Sequence, residues 1–149
     1  MEKQQLPEDF KEFIQCLNSN SVKYLLIGGW AVGLHGQPRA TKDIDFLILR
    51  DNTNLENLEK AFNSFGAPPV DIDYLREKGN VIRIGVSPIL IDIINEADGI
   101  DFEDCYSRKE KIIVENIEIP VISKADLIKN KKSTGRKTDL ADAEKLEYS

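Results

Sequence analysis

Residues 26–49 read LIGGWAVGLHGQPRATKDIDFLIL, and the Asp43-Ile44-Asp45 triplet opening their second apolar run constrains the chain more than any other feature. Successive side chains of a strand alternate between faces, so Asp43 and Asp45 point the same way. Two carboxylates on one face repel, and a cation belongs between them. A divalent metal is the economical candidate. Mg²⁺ takes hard oxygen ligands and is commonly held by one or two carboxylates together with substrate phosphates. Upstream, Gly28-Gly29 directly follows an apolar run. Glycines let backbone amides approach phosphate oxygens, and a helix start offers the N–H groups to meet them. Diglycine and paired carboxylates together imply a nucleoside-triphosphate site.

Hydrophobic periodicity supplies the frame around this window. Phe10, Phe13, Ile14 and Leu17 recur at helical spacing and predict a helix over 8–18. Val22 to Ile27 reads as a buried strand, followed by a helix that begins at the glycines and runs to Leu34. Lys42 to Leu49 is the carboxylate-bearing strand. Leu55, Leu58, Ala61, Phe62 and Phe65 mark a second amphipathic helix, ended by Gly66 and Pro68-Pro69. Val81–Val86 and Ile89–Ile94, split by Ser87-Pro88, predict a hairpin, as do 112–114 and 117–119 around Glu115-Asn116. Two helical segments, about 124–132 and 139–147, close the chain. This order predicts an α/β (α+β) fold: a mixed sheet with helices packed against it.

The 149 residues suffice for one domain. It is expected to span 1–149, with an N-terminal helix, a catalytic sheet core and a helical segment from about 123. Hydrophobic residues at 41% and charged residues at 31% place it among globular chains. A net charge of −6 argues against gripping nucleic acid through bulk positive charge. Cys16 and Cys105 have neither metal spacing nor a disulfide pattern. No run has signal-peptide character or transmembrane length. The expected setting is the reducing cytoplasm, with no membrane partner.

The glycine and aspartate window resembles the nucleotidyltransferase superfamily that includes DNA polymerase beta. It is most similar to the small bacterial branch related to abortive-infection and toxin–antitoxin nucleotidyltransferases. The branch pattern GG-x-A-x-x-x-HG-x-x-R-x-T-x-D-x-D is matched by Gly28, Gly29, Ala31, His35, Gly36, Arg39, Thr41, Asp43 and Asp45. A second branch motif, D-L-x-x-x-K then G-R-x-K-D-x-x-D, is matched by Asp126, Lys131, Gly135, Arg136, Asp139 and Asp142. Thr138 departs from it, standing where the branch carries lysine. The resemblance implies the same mixed-sheet fold and a third carboxylate on a later strand.

Asp92, inside Ile89-Leu90-Ile91-Asp92-Ile93-Ile94, fits that third place. Burying an aspartate in so apolar a strand is costly unless it is paired or metal-bound; the plainer alternative is a strand-end aspartate capped by backbone donors. The resemblance gives it the role of metal ligand or of acceptor for the attacking hydroxyl's proton. Asp43, Asp45 and Asp92 are therefore the expected catalytic and metal-binding residues, with Mg²⁺ or Mn²⁺ as cofactor. Asp71 and Asp73 repeat the i, i+2 spacing without a glycine pair and read better as a solvated loop or strand end. Gly28, Gly29, Arg39, Thr41, Lys131 and Arg136 are the expected nucleotide contacts. Arg39 could neutralise triphosphate charge through its guanidinium fork or simply pair with Asp43 or Asp45. His35, the only histidine, reads as a structural hydrogen-bonding residue, and Trp30 as core. Asp126 has a local explanation in the helix-start signal Ser123-Lys124-Ala125-Asp126.

The expected activity is metal-dependent transfer of a nucleoside monophosphate from an NTP to an acceptor hydroxyl, releasing pyrophosphate. RNA, protein or a small molecule such as an aminoglycoside is the candidate acceptor. The short chain leaves room for a homo-oligomer or a cognate partner to complete the cleft. The alternatives are a non-catalytic nucleotide-binding or toxin–antitoxin interaction module and, more weakly, phosphoester hydrolysis.

Overall fold

Apolar periodicity and local caps account for most of the secondary structure in the computed structural model, which describes residues 6–37, 43–86 and 88–149. Helix α1 (Glu8–Ser19) buries Phe10, Phe13, Ile14 and Leu17, the four residues whose spacing announced it. Strand β1 (Tyr24–Ile27) is buried along its length and passes directly into α2 (Gly28–Leu34). Strand β2 (Asp43–Ile48) leads to α3 (Asn52–Phe65). Asp51 caps α3 by accepting a hydrogen bond from the Asn54 amide, and Gly66 ends it in the left-handed region at φ +81°. The hairpin β3 (Val81–Val86) and β4 (Ile89–Ile94) follows. After α4 (Phe102–Ser107), a second hairpin, β5 (Glu110–Val114) and β6 (Ile117–Val121), precedes α5 (Lys124–Thr134) and α6 (Lys137–Glu147).

Two elements differ from the sequence expectation. Ile72–Arg76 forms a 3₁₀ turn where a loop or strand end was expected, because Asp71 accepts the Asp73 amide and Leu75 is buried. Phe102–Ser107 is helical, started by Asp101, whose carboxylate accepts the Asp104 amide at 3.1 Å. Both segments are too short to display a full apolar period, but their capping aspartates were visible in the sequence.

The six strands form one mixed sheet in the order β3-β4-β2-β1-β6-β5. β2 runs antiparallel to β1 and parallel to β4, β1 is parallel to β6, and the two hairpins are antiparallel. The face carrying Tyr24, Leu26, Ile44, Phe46, Ile91 and Ile93 is packed into the core. Phe13 of α1 meets Phe46 there at 5.6 Å between ring centroids and Phe62 of α3 at 5.9 Å. Burying each such side chain contributes about 1.5–3 kcal/mol. Asn54, almost fully buried, ties the adjacent ends of β1 and β2 by bonding Lys23 N, Lys23 O and Leu49 O. This apolar face anchors β2 and β4 and leaves the opposite face of the same strands to the polar site. No helix among the described residues is long and apolar enough to cross a membrane.

Candidate active site

Register assembles the site. In the parallel β2–β4 ladder Asp45 lies opposite Asp92, and in the β1–β2 ladder it lies opposite Ile27. Residues opposite one another on neighbouring strands share a face, so Asp92 and Asp45 stand side by side and Asp43 lies two residues along the same face. The chain turns at Gly28 just beyond Ile27, with φ +72°. A Cβ on Gly28 would overlap Oδ2 of Asp45. This glycine therefore has two physical reasons: a left-handed backbone and the close approach of a carboxylate.

The third strand in the row brings a cation to Asp92 and Asp43. Arg83 of β3 lies opposite Asp92. Its Nε donates to Asp92 Oδ1 at 2.7 Å and its Nη2 to Asp92 Oδ2 at 3.0 Å, with Nη2 also 3.5 Å from Asp43 Oδ2. Sequence reasoning missed Arg83, although the signal was present. Arg83 stands four residues before Ser87 and Asp92 four after Pro88, so a hairpin folded at that dipeptide must set them opposite each other. Among the described residues Asp45 has no comparable clamp. Burial pushes its carboxyl up to about 6, with the neighbouring Asp92 and Asp43 carboxylates adding to the effect and Lys131 opposing it.

The donor chemistry suits a hard divalent cation: three aspartates on one face, one of them raised to about 6 by burial and by its two carboxylate neighbours. The spacing is a separate matter. Among the described residues no three of Asp, Glu, His and Cys close on a common metal point. The Arg83 fork holds Asp92 and reaches Asp43.

Beside Asp45 opens a cleft of about 510 Å³, whose lining includes Gly28, Gly29, Asp45, Lys131, Thr134, Arg136 and Asp139 and also Glu96 and Asp98. The α5–α6 pair presents its cations here through a buried polar network. Lys131 Nζ lies 3.1 Å from Asp139 Oδ1 and 3.4 Å from Asp142 Oδ2, all three side chains being nearly buried. Asp139 Oδ2 also accepts from Thr134 Oγ1 and from Arg136 Nε, each at 2.8 Å. Burial works to raise the Asp139 carboxyl, but the bonds from Thr134 and Lys131 and the charges of Lys131 and Arg136 win and hold it below the usual carboxylate range. Asp139 is thus the hub that holds Lys131 and Arg136.

Other sequence-level readings resolve more simply. Arg39 and Thr41 lie outside the described residues. His35 Nε2 bonds Ile122 O at 2.7 Å and its Nδ1 lies 3.3 Å from Glu110 Oε2, so it braces α2 against the β5–β6 hairpin. Trp30 is buried edge-on to Phe10, centroids 6.0 Å apart, and cannot stack on a base. Its Nε1 has no hydrogen-bond partner among the described residues. Asp71 and Asp73 serve the 3₁₀ turn and an ion pair with Arg76 at 2.7 Å. Asp126 sits in the first turn of α5, its amide capped by Ser123, and its carboxylate takes a two-point bond from Arg108 at 3.0 and 3.1 Å.

Known proteins share this arrangement of strands and helices. Lincosamide antibiotic adenylyltransferase LnuA with lincomycin bound superposes with a TM-score of 0.59 at 17% identity, over 97% of this chain and 98% of that one. The crystal structure of ANT(2'')-Ia in complex with adenylyl-2''-tobramycin gives 0.57 at 14% identity, over 93% and 91%. A Thermotoga maritima protein described as a nucleotidyltransferase gives 0.55 at 16%, over 93% and 86%. Likeness at such identities establishes the fold alone. No curated protein matches the chain in sequence. The model of one family does, and it spans residues 9–146. With nearly its whole length inside that model and its strands in the order that sets Asp45 against Asp92, the chain belongs to the aminoglycoside-2''-adenylyltransferase family and is a nucleotidyltransferase.

Proposed function

We propose that the protein transfers a nucleoside monophosphate, AMP by the family's description, from the triphosphate to a hydroxyl of a small cationic acceptor. The observation that carries this reading is the row Asp92–Asp45 with Asp43 beside it, of which Asp45 lines a cleft together with Gly28, Gly29, Lys131 and Arg136. The acceptor oxygen forms a bond to the α-phosphorus, the bond from that phosphorus to the β-phosphate oxygen breaks, and pyrophosphate leaves. Phosphoryl chemistry of this kind needs positioning and charge neutralisation more than covalent help.

Asp43, Asp45 and Asp92 are the residues that would hold a divalent cation, Mg²⁺ or Mn²⁺. When bound, it would neutralise triphosphate charge and stabilise the displaced oxygens. The chain's own residues do the rest. Backbone amides at Gly28 and Gly29, beside the Asp45 carboxylate, would meet the phosphates. Lys131 and Arg136 face the same anion, held by Asp139. Asp92 ligates or takes the proton of the attacking hydroxyl. Glu96 and Asp98, exposed in the lining of the cleft, favour an acceptor bearing amines, which would share Glu96 with Lys78, 3.5 Å away. An exposed carboxylate pair of that kind does not suit the phosphates of an RNA end.

The deciding experiment is pyrophosphate release from ATP and Mg²⁺ with a panel of aminoglycosides, RNA and protein acceptors. Release with an amine-bearing small acceptor, lost in Asp45→Asn, is the expected result. Full turnover by Asp45→Asn, or release only with RNA or protein, overturns the assignment.

A further inference from the structure

We propose that Arg83 is a built-in counter-ion of the carboxylate face, and that it must leave Asp92 before a divalent cation can settle there. The inference rests on the metal role proposed above for Asp43, Asp45 and Asp92, and adds a residue that competes for it.

Competition follows from the contacts. Arg83 covers both oxygens of Asp92, at 2.7 and 3.0 Å, and its Nη2 reaches Asp43. Mg²⁺ takes carboxylate oxygens at about 2.0–2.1 Å and demands near-ideal octahedral geometry. A cation on those oxygens would sit against the guanidinium, and the two positive charges repel across a partly desolvated face.

Exchange is also cheap for Arg83 and costly for Asp92, which couples the two events. The Arg83 side chain is 55% exposed and stands on the edge strand β3, whereas the Asp92 side chain is only 10% exposed. A departing guanidinium returns to water or to the neighbouring groove of about 390 Å³, where Asp71 and Tyr74 offer a carboxylate and an aromatic face. Asp92 left without a cation would be a buried unpaired charge, so one cation leaves as the other arrives. Arg83 therefore keeps the face neutralised in the metal-free protein and lowers its affinity for metal.

Direct Mn²⁺ binding to the intact, nucleotide-free protein tests this, by titration calorimetry and by the electron spin resonance of free Mn²⁺. Arg83→Gln is expected to bind Mn²⁺ about tenfold tighter or more, because a charge-assisted two-point bond no longer has to be broken. Arg83→Lys, which keeps the charge and loses the fork, should fall between. Unchanged or weaker binding in a folded Arg83→Gln overturns the inference. The wild-type protein supplies a readout that needs no variant. The ¹⁵N–Hε resonance of Arg83 should move toward the position of a solvated arginine as Mg²⁺ is added, and a resonance unmoved at saturation overturns the inference equally. Mn²⁺ affinity that ignores Asp45→Asn marks failure of the metal site itself, and the Arg83 role falls with it. Affinity that requires Asp45 but ignores Arg83 defeats this inference alone.

Discussion

Replacing Asp45 by asparagine should stabilise the metal-free protein while abolishing its activity. Burial and the Asp92 and Asp43 carboxylates raise the Asp45 carboxyl from its ordinary 3.8 to about 6. At ~1.4 kcal/mol per pKa unit, the ionised form costs the folded state about 3 kcal/mol. The sign follows from which state holds the proton. Below about pH 4 both states are protonated and there is no penalty. Between about 4 and 6 the unfolded chain gives up its proton while the folded one keeps it, so stability falls as pH rises. Above about 6 the full penalty stands. Asparagine has no proton to lose, so urea unfolding in a chelating buffer at about pH 8 should find Asp45→Asn about 2–3 kcal/mol more stable than wild type. Near pH 3.5 the difference should vanish. Saturating Mg²⁺ should narrow it at about pH 8, because an ion that binds only the native wild-type site stabilises only that protein. A variant no more stable than wild type at high pH, or a difference independent of pH, would refute the claim that this carboxylate is crowded and desolvated.

Two further predictions concern the walls of the site. Gly28→Ala places a Cβ against Asp45 Oδ2 on a backbone at φ +72°; thermal unfolding should show a loss of about 2 kcal/mol or more together with lost transfer, and wild-type values of both would count against the close approach. Lys131→Met removes the cation between the nearly buried Asp139 and Asp142. Urea unfolding should show a loss of about 3 kcal/mol or more, partly recovered by adding Asp139→Asn, and no recovery would mean the network is not held by charge pairing.

Much of the architecture was written in local patterns. The helical spacing of Phe10, Phe13, Ile14 and Leu17 gave α1, and Leu55, Leu58, Ala61 and Phe62 gave α3, because one face of each is buried in the core. Gly66 and Gly135 end their helices in the left-handed conformation that glycine adopts freely. The short 72–76 and 102–107 segments escaped because a single turn has no periodicity to read. Arg39 and Thr41 matched a motif, but their place in the site lies outside the described residues.

The shared face of Asp43 and Asp45 was determined by sequence alone, since strand parity is a property of the chain and needs no partner. So was the need for a cation beside them. Which cation, and which third carboxylate, depended on strands brought together from distant parts of the chain. The parallel register setting Asp92 beside Asp45 arises only when β2 and β4 become neighbours, across an intervening helix and hairpin strand. The same assembly delivers Arg83 to Asp92 and gathers Lys131, Arg136 and Asp139 at the opposite end of the row. Residue types and their alternation are local, whereas charge neutralisation is settled by proximity, and proximity exists only in the folded sheet.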